Sequence, residues 1–399
     1  MLTAFYPVFF QSYWSIGVDA VESTARIGAA NSISSIVIVL LAPILGAVAD
    51  ASQAKKRFLI SFALVGMVMT GCLFFIGEGQ WLYASITFIF AAIGFAGANI
   101  FYDSLLVDVT SKDKFDSVSA LGYSFGYLGG GLLFAITVAM SLYPETFGFS
   151  NKMDAIQFSF VAVSLWWFIF TLPIMLFVNE PINKSHSKNI SVVAGLRQIK
   201  QTALEIKSLK VVFLFLIAYW FYIDGVDTIV RMAIPYGLSI GLDSSDLVKA
   251  ILITQFVGFP SALLFGYFGQ RWGAKLIILV AIGVYLIITV LASMMDSSYE
   301  FYILAISIGF VQGGIQSLSR SFYARIIPRS KSAEFFGFYN MLGKFAAVLG
   351  PLLMAIVALI AEDTRISILS VTFLFVIGGV LLYFVDEKKG IEMVKSLEN

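Results

Sequence analysis

Charge is what this 399-residue sequence has little of. Asp, Glu, Lys and Arg make up 13% of it, against 59% hydrophobic residues and a mean hydropathy of +0.89. A soluble chain carries about a quarter charged residues. So much apolar surface exceeds what one buried core absorbs, and it makes lipid the solvent. The one cysteine, Cys72, sits inside an apolar run, so there is no disulfide framework. The one histidine, His186, lies in a polar loop. Metal clusters and Cys/His or Ser/His/Asp catalysis have almost no raw material, so neither an enzyme nor a cofactor is expected. A net charge of +1 offers nucleic acid nothing to hold. The N-terminus lacks a basic stretch and a small-residue cleavage site, so no signal peptide is expected.

Long apolar runs are what the sequence has. A spanning helix needs about 20 mainly apolar residues. Eleven runs qualify, at about 27–49, 58–77, 81–107, 117–141, 155–178, 211–234, 248–269, 276–295, 301–324, 335–361 and 366–385. A twelfth opens the chain, LTAFYPVFFQSY, and is too short to span. It reads as the second half of an incomplete first helix. Numbering counts it as span one. Lys and Arg collect on the cytoplasmic side of a membrane. Alternate connections carry 19 of them on one side and 4 on the other, Arg26, Lys152, Lys249 and Arg365. The rich side is expected to be cytoplasmic, in an inner-membrane, multi-pass protein with a cytoplasmic C-terminus.

Organisation follows from the loops. The longest polar connection, 179–210, separates two halves, 1–178 and 211–385, and 386–399 is a tail. Within it, SVVAGLRQIKQTALEIKSL has helical apolar spacing. It suits an amphipathic helix on the membrane surface or a solvated linker helix. The halves repeat. Span two ends in GAVADASQAKKR and span eight in GYFGQRWGAKL. The fourth-to-fifth and tenth-to-eleventh regions both run helix, short charged loop, glycine-rich helix. Spans three, six, nine and twelve hold no Asp, Glu, Lys or Arg, as expected of lipid-facing helices. The expected fold is an all-α polytopic membrane protein with two six-helix halves. Such a repeat is a transporter pattern.

These motifs resemble the major facilitator superfamily. The loop motif stands as Gly46, Asp50, Lys55, Lys56 and Arg57, with a weaker copy at Gly266, Arg271, Gly273 and Lys275. More narrowly, the sequence is similar to the branch related to fungal vacuolar effluxers linked to autophagy. The phrases that carry this are ANSISSIVIVLLAPILGAVAD, VSALGYSFGYLGGG, FYIDGVDTI, QGGIQSLSRSFYARIIP and FFGFYNMLGKFAAVLGP. The YDWANSAF-like phrase typical of the first helix is absent. The resemblance implies twelve helices and alternating access, and the fungal relatives imply amino-acid efflux.

Charges inside apolar spans cost several kcal/mol, so they mark function. Asp224, Asp227 and Arg231 share one face of span seven. Asp224 lies about 20 Å from the start of that span, near midplane. One of the two carboxylates, Asp224 ahead of Asp227, is the expected proton carrier or substrate-ammonium site. The alternative is a structural pair of Asp227 with Arg231. Lys344 is near the middle of span eleven, one turn after Asn340, and needs a counter-ion. Asp224 is the expected partner, and a substrate carboxylate the other choice. Gln312, Gln316 and Arg320 form a polar stripe on span ten, and Tyr123 and Tyr127 a pair on span five. These make the candidate substrate or coupling set, or else interhelical glue. Aligning Gly97 with Gly314 makes Asp103 and Arg320 equivalent, which suits a gating ion pair. Asp50, Lys55, Lys56 and Arg57 are expected to control the same movement, or simply to set topology.

Together these features predict a secondary transporter, monomeric, that moves a small polar solute, with protons as the candidate coupling ion. Carboxylate, ammonium and amide groups suit a zwitterion, so an amino-acid or related metabolite exporter is favoured. The alternatives are a multidrug or organic-anion exporter on the same fold, or a sensor or scaffold that no longer transports.

Overall fold

A computed structural model describes residues 5–180, 201–361 and 363–398. Eleven of its helices are long and apolar enough to cross a membrane. The chain opens with a short helix, α1 (Phe5–Phe9), that runs into a π-helical turn at Phe10–Trp14. The spans follow as α2 (Ala20–Ser52), α3 (Lys55–Cys72), α4 (Trp81–Ser104), α5 (Phe115–Leu142) and α6 (Lys152–Phe177). The second set is α7 (Lys210–Ser239), α8 (Ser244–Trp272), α9 (Ala274–Ser293), α10 (Ser298–Arg325), α11 (Ser332–Ala361) and α12 (Thr364–Tyr383). A last helix, α13 (Glu387–Glu398), closes the chain.

Even-numbered helices start at the end away from the basic loops, and sequence-local caps start most of them. Asp19, Asn151, Asp243, Ser297 and Asp363 each accept a backbone N–H from the first turn of α2, α6, α8, α10 and α12. At Ser297 the cap is reciprocal, since Glu300 reaches back to the cap backbone. Such caps satisfy donors that a helix cannot satisfy itself.

Packing repeats across the halves. In the first, α4 packs on α2 and α3, and α3 on α6. In the second, α10 packs on α8 and α9, and α9 on α12. The halves meet along two matching seams, α2 on α11 and α5 on α8, with α4 beside α11 and α5 beside α10. One large cluster of buried side chains fills the second half, around α7, α9, α10 and α12. Tyr6, Phe9, Phe10 and Trp14 of the first segment fill a smaller one with Phe88 and Phe160. The expectation that charge-free spans face lipid holds best for α6. In contrast, half of the apolar stretch of α9 is buried, because α10 and α12 both pack on it.

Of the linker, residues 181–200 lie outside the described set, and with them most of the expected surface helix. Its described end is helical over 201–208. Ile206 and Leu209 turn into the second-half core, and Thr202 hydrogen-bonds the carboxylate of Glu334. That end packs on protein.

Candidate functional site

Between α4, α5, α8, α10 and α11 lies a cavity of about 420 Å³. Its walls carry Phe95, Asn99, Tyr102 and Asp103 from α4, and Tyr123 and Tyr127 from α5. Gln255 of α8, Gln316 and Arg320 of α10 and Asn340 of α11 complete it. Both halves therefore build it.

An ion pair in its wall joins the halves. Arg320 Nη1 donates to Asp103 Oδ1 at 3.2 Å, and both residues are buried. The guanidinium is positioned from the first half as well. Its Nε donates to Ser119 Oγ at 2.9 Å and its Nη2 to the Ser119 carbonyl at 3.0 Å. The rings of Tyr102 and Tyr123 flank it, 5.2 and 4.8 Å from centroid to guanidinium carbon. Asp103 Oδ2 accepts from Asn340 Nδ2 at 3.1 Å. Across the cavity the Tyr127 hydroxyl donates to Gln316 Oε1 at 3.3 Å. The repeat alignment placed Asp103 opposite Arg320, and in space they touch.

Six of the expected site residues thus meet in one place: Tyr123, Tyr127, Gln316, Asn340, Asp103 and Arg320. Gln312 is half-buried and is not in the cavity wall. Asp224, Asp227 and Lys344 form a separate group on α7 and α11. Asp224 is fully buried. Its Oδ1 accepts from the Gly350 N–H at 3.0 Å and from Thr228 Oγ1 at 3.3 Å, while Oδ2 has no hydrogen-bond partner among the described residues. Only glycine permits this contact. A Cβ at 350 would lie 1.8 Å from Thr228 Oγ1.

The expected Asp224–Lys344 bridge is not formed. Asp224 engages α11 six residues beyond Lys344, about 9 Å along the helix axis. The Asp227–Arg231 pair is not formed either. Arg231 is exposed. Among the described residues, no carboxylate lies within 4 Å of Lys344 or Arg231.

At the basic end, the loop-motif residues tie helix ends together. The Asp50 carboxylate accepts the N–H groups of Ala333 and Glu334, at 3.1 and 2.8 Å, and so caps α11 from the other half. Lys55 Nζ donates to Asp108 at 2.8 Å and Ser332 at 2.6 Å, and lies 3.5 Å from Asp50. Lys56 Nζ donates to the carbonyls of Met175 and Val178 at the end of α6. Its counterpart in the second half, Lys275, does the same for Tyr383 and Val385 at the end of α12. Arg57 is exposed. At Gly46 the two backbones nearly touch, since a Cβ there would lie 2.2 Å from the Ala333 carbonyl oxygen.

Sequence reasoning missed several members. Asn99 stands one turn before Asp103 on the same face, and Gln255 is a lone amide in an apolar run; both signals were available. Asp116, which is buried and holds Arg325 and the Ser321 hydroxyl across the second seam, gave no such signal. Glu180 accepts the N–H groups of Lys55 and Lys56, capping α3 from beyond α6. Burial pushes its carboxyl above the usual range, against the pull of those N–H bonds.

Two matching helix bundles around a shared polar cavity define a membrane transporter of the major facilitator fold. The chain belongs to the vacuole effluxer Atg22-like family, whose model matches residues 11–395. It is 39% identical over 388 residues to the uncharacterised MFS-type transporter YxiO of Bacillus subtilis strain 168, covering 97% of this chain and 90% of that protein. It is 24% identical over 366 residues to autophagy-related protein 22 of Eremothecium gossypii, covering 82% and 70%. The fold is similar to the proton:xylose symporter XylE, with TM-score 0.77 at 10% identity over 100% of this chain and 95% of that one. It is similar also to FucP in its outward conformation, with TM-score 0.70 at 11% identity over 95% and 93%.

Proposed function

We propose that the protein exports amino acids, or closely related zwitterionic metabolites, by alternating access across the cytoplasmic membrane. The observation that carries this is the cavity shared by both halves and crossed by the Asp103–Arg320 pair. Amide, hydroxyl, carboxylate and guanidinium groups in one wall suit a small polar solute with both charges. Export is the direction in the name of the family, an effluxer. The Lys/Arg-rich end faces the cytoplasm, by the charge bias of its loops.

The cross-half contacts of Asp50, Asp103 and Asp116 lie toward that end, so this conformer is closed to the cytoplasm. Opening inward requires those contacts to part, which makes Asp103–Arg320 a gate. Asp224 is the candidate proton carrier. Among the described residues its Oδ2 has no hydrogen-bond partner, and a proton there removes an uncompensated buried charge. A second reading, an organic-anion exporter, is favoured by Lys344, a cation with no carboxylate within 4 Å among the described residues.

The test is counterflow in proteoliposomes loaded with the twenty amino acids, each labelled in turn outside, with Asp224→Asn in parallel. Exchange of one or a few amino acids supports the reading. Silence for all twenty, with folded protein confirmed, removes it and moves weight to organic anions or to a sensor without transport.

A further inference from the structure

The Asp103–Arg320 pair is a wall of the cavity as well as a bond between halves. Three features set it apart from an ordinary structural ion pair. First, it is a single link. Only Nη1 of Arg320 reaches Asp103, at 3.2 Å, longer than the roughly 2.7–2.9 Å of a tight charge-assisted bond. Second, Arg320 does not depend on Asp103 for its place. Ser119 holds two of its nitrogens and two tyrosine rings flank it, so in the closed form the guanidinium keeps its place when a ligand takes over the Asp103 bond. Third, the rest of the described wall is uncharged, its polar groups being amides and tyrosine hydroxyls. The cavity therefore holds one anion and one cation, side by side.

We propose that this pair is the head-group site of the transported solute. A zwitterion binds with its carboxylate on the Arg320 guanidinium and its ammonium on Asp103, and so replaces one of the bonds that hold the halves together. The inference rests on the amino-acid reading above and deepens it. Binding thereby removes one of the contacts that favour the closed form. Selectivity follows from the same arrangement. A ligand with only one charge satisfies one partner and leaves the other buried without a counter-charge, which disfavours it. Asn340 hydrogen-bonds Asp103 Oδ2 and so holds the carboxylate in the wall while the halves are closed.

The experiment is equilibrium binding of a labelled mixture of the twenty amino acids to the purified full-length protein. Three unlabelled competitors are compared: the same amino acids, the amines left by removing their carboxyl groups, and the carboxylic acids left by removing their amino groups. The amino acids should compete, and the amines and acids should each be at least tenfold weaker. Asp103→Asn and Arg320→Gln should each weaken binding at least tenfold. Acids or amines that compete as well as amino acids overturn the inference without any variant having to fold. So does a folded Asp103→Asn protein whose affinity stays within twofold of the wild type. A wild-type protein that binds none of the twenty removes the amino-acid reading and this inference together, whereas binding that ignores head-group charge removes the inference alone.

Discussion

The two ends of the bundle start their helices differently. Away from the basic loops, five helices are capped by a residue just before their first turn, such as Asn151 for α6 or Ser297 for α10. At the basic end, α3, α5, α7 and α9 have no such local side-chain cap. Several helix ends there are met from a distance instead. Glu180 caps α3, Asp50 caps α11 from the other half, and Lys56 and Lys275 hold the carbonyls ending α6 and α12. The signs obey the helix dipole, with carboxylates at N-termini and ammoniums at C-termini. A local cap is indifferent to how the halves sit. A distant cap such as Asp50 exists only while the seam is closed, so it converts helix capping into a preference for one conformer.

Substitutions can break or sharpen this contrast. The largest loss is expected for Asp116→Ala, which strips Arg325 of its buried cross-seam partner. Breaking a buried pair costs about 3–5 kcal/mol, and Glu387 at 3.5 Å from Arg325 keeps this near the lower figure. Unfolding in mixed micelles, followed by dye attack on Cys72, the single thiol, reads it. A loss under about 1 kcal/mol would mean that Glu387 alone suffices for Arg325.

Asp50→Ala comes next. Removing a cap costs about 0.5–2 kcal/mol, but counterflow should fall about tenfold, equivalent to about 1.4 kcal/mol of barrier. Ser297→Ala is the control at the other end. It should cost about 1 kcal/mol of stability and leave counterflow unchanged. If both variants slowed transport alike, local and distant caps would not differ as argued.

The smallest effect is expected for Gln270→Asp, which copies Asp50 into its counterpart in the second half. Gln270 is exposed and accepts from Ser117 Oγ at 2.6 Å, beside the start of α5. A change within about 0.5 kcal/mol is expected, as for other surface substitutions. A larger loss in the melt or in counterflow would show that the second seam depends on a neutral amide.

The spans were legible because each one is a contiguous apolar run, and the repeat because glycine-started turns recur at matching places. Asp103 and Arg320 were legible as a pair for the same reason, since a repeat relates positions that a closed seam brings together. Lys344 shows where that reasoning stops. Its distance from Asp224 depends on how far α7 and α11 are offset along their axes, and no residue type records an offset. Gln312 shows another limit. It shares a stripe with Gln316 and Arg320, yet it is not in the cavity wall, since each four-residue step turns the stripe by about 40° and moves it about 6 Å along the axis. Asp116 lay unnoticed in a charged loop because its partner comes from the other half, more than two hundred residues away.

By itself the sequence determined the all-helical membrane fold, the number of spans, the bias of basic residues to one end, the local caps and the family. All of these depend on residues that are neighbours in the chain or on composition summed over a run, and lipid enforces them wherever the helices later sit. Only the tertiary structure decided which charges meet. It bonded Asp224 to the Gly350 backbone instead of Lys344, put Asp50 on the first turn of α11, and made one ion pair both a wall of the cavity and a bond between its halves. Those choices turn on angstroms of helix offset and on the one position, Gly350, where a missing Cβ lets a carboxylate reach the main chain.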